Sequence, residues 1–230
     1  MSWKSLVFAM ATLLPAAAMS QEPAEDSSAV QAESQFVGRY DGNSFETAMG
    51  MVVRADGTFE WGLSVGALDL RAQGTWFESY DKIIFASDPK PVPPEFFWSG
   101  IEQEDGGPFL RIIWQSTAKP FSYAHVRGLC TNGELLHGPV MADGWSPKDS
   151  CDRVATIQFY IPSYDFLSQP IELIGNRTTR PGQTIRIAFH PNDLGVANFD
   201  GVTGRLEDGR LQIQSDLGVM TLRKVSAQNE

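Results

Sequence analysis

The 230-residue chain is poor in the side chains that most often carry chemistry, with two cysteines and three histidines. His125, His137 and His190 lie on separate segments. They lack the short spacing that brings three or four metal ligands together, so no metal site is expected and the imidazoles are read as exposed or hydrogen-bonded. Cys130 and Cys151 are too far apart for the Cys-x-x-Cys spacing of redox catalysis. Basic residues are scattered, and a formal net charge of −10 repels phosphate backbones, so nucleic acid is not an expected partner. Beyond the N-terminal segment no apolar run approaches the ~20 residues of a membrane-spanning helix. Sustained helical periodicity is also missing, which leaves room for helical turns and little more. No cofactor motif stands out, and none is expected.

What the chain does contain begins with a segment that reads as an export signal. Lys4 precedes an apolar run from Leu6 to Leu14, broken only by Thr12 and ended by Pro15, and Ala18 and Ser20 are the small residues before Gln21. Residues 1–20 are therefore expected to be removed near Ser20-Gln21, leaving an exported, periplasmic or secreted product with no transmembrane segment. No cysteine stands at that point to take a lipid anchor. Residues 21–34 are acidic, small and free of aromatics, as a flexible leader would be. In an oxidising compartment Cys130 and Cys151 are expected to form a disulfide. The loop between them holds Asn132-Gly133, Gly138-Pro139 and Gly144, turn formers expected to bury little surface.

From Phe36 onward short runs alternate apolar with polar residues, and glycine punctuates the gaps. That pattern describes antiparallel strands with one buried face. Strands are expected at 36–40, 49–54, 58–64, 70–77, 82–87, 109–115, 122–130, 153–161, around 185–190, and at 203–206, 210–214 and 219–225. Asp56-Gly57 reads as a two-residue hairpin turn, and Glu207-Asp208-Gly209 as another hairpin turn. Phe59, Trp61 and Leu63 share a face, with Met51 and Val53 opposite them. Four prolines make 88–95 a stiff extended connector, and Phe96-Phe97-Trp98 reads as a core plug. Asp165-Phe166-Leu167 and Asp193-Leu194-Gly195 read as single turns. The class is all-β.

Asp56-Gly-Thr-Phe59, Gly74-Thr-Trp76 and Ile83-Ile-Phe-Ala-Ser87 together resemble the lipocalin-like small barrels of bacterial envelope proteins, one of which occurs in copper-homeostasis and stress-sensing outer-membrane lipoproteins. Leu63–Asp69 with Ser87-Asp-Pro89 is similar to a group of uncharacterised exported proteobacterial proteins. In that group a β-sandwich like transthyretin-like or carboxypeptidase-regulatory modules follows the barrel. The resemblance implies a lipocalin-like antiparallel barrel over 35–118, with 196–226 available to complete it, plus a smaller β-sandwich module over 119–195 that contains the Cys130–Cys151 loop. The lipoproteins' cysteine motif is missing here, so no metal or signalling role carries over.

Candidate chemistry is sparse. Gly62-Leu-Ser64-Val-Gly66 matches the nucleophile-elbow pattern, but that motif needs a helix directly after the turn. Only a few residues separate Gly66 from the next expected strand, so Ser64 is not expected to be catalytic. Asp165 with Glu172, or Glu102 with Glu104 and Asp105, are acid pairs at no fixed separation. Asn176-Arg-Thr178 fits a glycosylation acceptor, as such triplets also do by chance. The expected role is non-catalytic binding or scaffolding, with the partner left open between an envelope protein and a small apolar ligand. One alternative is a lipocalin-like carrier with Phe59, Trp61, Trp76 and Trp98 lining a cavity for a small apolar ligand; the other is a hydrolase with an unrecognised site.

Overall fold

The computed structural model describes residues 34–148, 150–173 and 182–226. The expected export signal, the leader except its last residue, and the Asn176-Arg-Thr178 triplet lie outside the described residues. Among those described, regular structure is β apart from one 3-10 turn at Pro162–Tyr164, so the chain is all-β.

Five strands come first: β1 (Gly38–Asp41), β2 (Thr47–Val53), β3 (Thr58–Val65), β4 (Leu68–Ser79) and β5 (Lys82–Ser87). The middle of the chain holds β6 (Glu95–Gln103), β7 (Leu110–Trp114), β8 (His125–Cys130), β9 (Leu135–Pro139), β10 (Val154–Ile161), β11 (Phe166–Leu167), β12 (Ile171–Glu172) and β13 (Gln183–His190). Last come β14 (Thr203–Glu207), β15 (Arg210–Ser215) and β16 (Gly218–Lys224). The first five and last three close into one antiparallel barrel of lipocalin-like architecture, in the order β1-β16-β15-β14-β5-β4-β3-β2. β6 and β7 fall inside the stretch 35–118 expected to build the barrel, yet they pair with β13 on its two edges.

Turn chemistry sets the barrel register. The β2–β3 loop differs from the expected two-residue turn, because it spans Ala55-Asp56-Gly57. Arg54 donates its N–H to the Thr58 carbonyl at 2.9 Å, and the Asp56 carboxylate accepts the Thr58 N–H at 2.9 Å and its hydroxyl at 2.7 Å. Gly57 then takes φ 84°, the left-handed residue that ends a three-residue hairpin loop. Asp208-Gly209 is a true two-residue turn, with φ 49° and 72°. Across β2 and β3, Met51 faces Trp61 and Val53 faces Phe59, all four buried.

Aromatic rings fill the barrel. Phe59 lies 4.8 Å from Phe85, and Phe199 sits 5.4, 5.2 and 5.9 Å from Phe59, Trp61 and Phe85. Phe199 is not on a strand. It arrives on the segment that re-enters the barrel before β14, at the end where β5 leaves. Phe36 precedes β1 at the opposite end and is equally buried, with its carbonyl accepting the Tyr40 hydroxyl at 2.6 Å. Each end of the barrel therefore has its own plug.

The middle strands form two sheets around a second core. One has the order β6-β13-β7, with β7 parallel to β13; the other has β11-β10-β8-β9, with β12 also on β10. Phe96, Phe121, Phe159 and Phe189 meet between them, with Phe121 and Phe189 stacked at 4.2 Å. Of the expected plug, Phe96 is buried, while Trp98 is half-buried and Phe97 is exposed. Cys130 and Cys151 form the disulfide. The loop that they close carries more structure than expected: it contains β9, and Leu136, Val140 and Trp145 enter the core, because apolar residues alternate with the turn formers.

Phe199→Ala removes the ring on which three others pack, and is predicted to destabilise the protein by about 3–5 kcal/mol. Denaturant unfolding monitored by tryptophan fluorescence measures this, and a loss below about 1 kcal/mol would mean the plug is dispensable.

Candidate functional site

β4 has twelve residues but β5 only six, and β5 pairs with Gly74–Ser79 alone. Leu68 to Gln73 would thus expose an unpaired strand edge. The returning chain covers it: Arg71 donates its N–H to the Gly195 carbonyl at 2.9 Å, and Ala197 donates to the Arg71 carbonyl at 2.8 Å. Gly195 has φ 89°, and a Cβ there would lie 3.0 Å from the Asp69 carbonyl oxygen, so the approach requires glycine.

The outgoing proline connector is laced to this return segment. Val92 donates its N–H to Asp193 Oδ2 at 2.9 Å, Asp193 donates its own N–H to the Val92 carbonyl at 3.1 Å, and Asn192 donates its side-chain amide to the Pro93 carbonyl at 2.7 Å. Lys90 pairs with Asp200 at 3.0 Å. Prolines hold the connector extended, and its remaining backbone groups find partners across the gap.

Between these two segments, the barrel rim and the middle sheets lies a cleft of about 550 Å³. Leu68, Leu70 and Leu217 form its barrel side, Pro91 to Pro94 one flank, and Tyr164 and Phe166 the opposite flank. Pro162 starts the 3-10 turn that presents these aromatics. Asp165 ends it in the left-handed conformation, φ 47°, donating its N–H to the Pro162 carbonyl at 3.2 Å. The walls are mostly hydrocarbon, with Asp165 and Asp193 as carboxylates at the edge.

No family model, curated protein or solved structure matches the chain.

The residues singled out from sequence are not gathered at the cleft. Phe59 and Trp61 are in the barrel core. Trp76 packs on that core half-buried, with its ring N–H donated to the Arg54 carbonyl at 2.9 Å. Trp98 packs on the other core. Ser64 lies on the outer face of β3 and donates its hydroxyl to the Asp69 carboxylate at 2.6 Å; the chain turns through Gly66-Ala67 straight into β4, with no helix between. His125 and His137 are exposed on β8 and β9, and His190 ends β13. Among the described residues no group of three or more His, Cys, Asp or Glu could hold a metal ion, and no helix is long and apolar enough to cross a membrane.

Glu102 and Glu104 are held in ion pairs. Arg111 donates to both oxygens of Glu104 at 2.9 and 3.0 Å, and Arg186 donates to Glu102 at 2.8 Å. Glu172 sits on β12 beside Thr156, while Asp165 is at the other end of β10, in the cleft wall. In the sequence the cleft residues read as turns and a connector. Their signal was positional: 88–95 and 193–195 flank the middle strands, so closure of the barrel by both ends of the chain must bring them together.

The Arg111 hydrogen bond holds the Glu104 carboxyl below the usual carboxylate range. A carboxylate whose folded value is lowered stabilises the fold above its unfolded value, and the contribution is lost as pH falls through the folded value. The stability gap between wild type and Glu104→Gln is therefore predicted to be widest near neutral pH and to close in acid. Urea unfolding across pH 7 to 3 measures it; a gap that widens in acid would contradict the assignment.

Proposed function

We propose that the protein is a non-catalytic, exported binding protein that takes a small apolar ligand in the junction cleft. The observation that carries this reading is the convergence of five separate segments, each bringing apolar side chains to one cavity of about 550 Å³. Small-molecule sites have this size and lining, and they favour the junctions between packed modules. Backbone bonds fix the walls in advance, so little ordering would be needed on binding.

Export is supported by the Lys4, Leu6–Leu14, Ala18-x-Ser20 pattern and by the Cys130–Cys151 disulfide, a bond at home in oxidising compartments. The periplasm is the setting that we propose. The likeness to lipocalin-like barrels of bacterial envelope proteins, and to the exported proteobacterial group with a second β-module, agrees with an eight-stranded closed barrel beside two facing sheets. Carriage of a ligand inside the barrel has less support. Phe59 and Trp61 are packed ring to ring with Phe85 and Phe199, and small barrels are commonly filled in this way.

The test is titration with N-phenyl-1-naphthylamine, whose fluorescence rises in apolar surroundings. Wild type should show saturable, single-site enhancement. Leu217→Glu, at a rim residue 53% exposed, should weaken binding at least roughly tenfold by placing a charge against the probe. Trp61→Phe should bind as wild type does. Absent binding, or binding lost in Trp61→Phe and kept in Leu217→Glu, would overturn the cleft as the site.

A further inference from the structure

We infer that the cleft selects an apolar ligand carrying a positively charged head group, an alkylammonium or amine. The inference rests on the binding role proposed above and names the ligand class for the same site.

Three charged side chains line the cleft: Lys90, Asp165 and Asp193. Lys90 is already paired with Asp200 at 3.0 Å. The two aspartates have no cationic partner among the described residues. Asp193 uses Oδ2 to accept the Val92 N–H at 2.9 Å, and Asp165 uses Oδ1 to accept the Tyr160 hydroxyl at 2.9 Å. Both donors are neutral and so bring no counter-charge, and the second oxygen of each carboxylate accepts no hydrogen bond from the described residues. These bonds also hold the carboxylates in place before any ligand arrives.

Tyr164 and Phe166 flank Asp165 in sequence and line the same wall, half-buried. A carboxylate next to aromatic faces is what an ammonium group recognises, through Coulomb attraction and the negative ring face. An anionic head would meet two unpaired carboxylates on a chain that already carries a formal charge of −10. A neutral chain would gain the hydrocarbon walls and leave both carboxylates without a counter-charge. Charge and lining together therefore favour a cationic amphiphile.

The experiment compares decyltrimethylammonium, decanol and decanoate, each as monomer, by isothermal titration of the full chain at low salt. The cation is expected to bind roughly twofold to fivefold tighter than the alcohol, the ratio that a partly exposed charge pair supports, and decanoate more weakly than the alcohol. Asp165→Asn with Asp193→Asn keeps acceptors for the Tyr160 hydroxyl and the Val92 N–H, and should bring the three constants together. In wild type the cation's lead should also shrink as salt is raised to about 0.5 M. Equal binding of the three heads, a lead for decanoate, or a lead for the cation that survives the double substitution would overturn the head-group inference and leave the apolar binding role standing. Failure of all three probes to bind would overturn both.

Discussion

Closure of the barrel through the pairing of β5 with β14 is the constraint on which the rest depends. These strands are separated in sequence by the whole middle of the chain, so the barrel exists only if the chain comes back to the point where it left. Ser87 marks that point. Its hydroxyl accepts the Phe199 N–H at 2.8 Å, and its own N–H is donated to Asp200 at 3.0 Å. One residue of the outgoing strand thus seats the re-entering segment, and Phe199 drops into the barrel core as that segment passes.

Two consequences follow from this geometry. The barrel interior is filled by aromatics from both its strands and its plugs. The connector and return segments must then run side by side over the long overhang of β4. Proline stiffness on one segment and left-handed residues on the other, Asn192 and Gly195, fix the path along which the two are laced. The apolar cleft is the space that remains beneath them. Its flanks are held by the hydrogen bonds that lace Val92 and Pro93 to Asn192 and Asp193, a few residues from the point where the barrel closes.

Much of this architecture was legible in the sequence wherever a strand alternates and a turn residue ends it. The facing of Met51 and Val53 against Trp61 and Phe59 could be read directly from period-two placement. So could the hairpin at Asp208-Gly209. Alternation tells which side of a strand is buried and not which sheet the strand joins, and so it does not separate Trp98, on the other core with β6, from Phe59 and Trp61. β6 itself was hidden, because Phe96-Phe97-Trp98 is a continuous aromatic run directly after prolines, with Gly100 and acids behind it. β9 was hidden among turn formers. The parallel match of β7 to β13 is long-range and leaves no local trace. The cleft was least visible of all, since its walls come from segments about a hundred residues apart that carry no motif of their own.

Hydrogen–deuterium exchange with and without a bound apolar probe tests the central claim most directly, because it reports where a ligand sits without assuming its identity. The account predicts added protection at the amides of 163–166 and 193–198, with the barrel strands unchanged. Protection confined to the inward-facing residues of β2, β3 and β5, with those two segments unaffected, would place the ligand inside the barrel and contradict it.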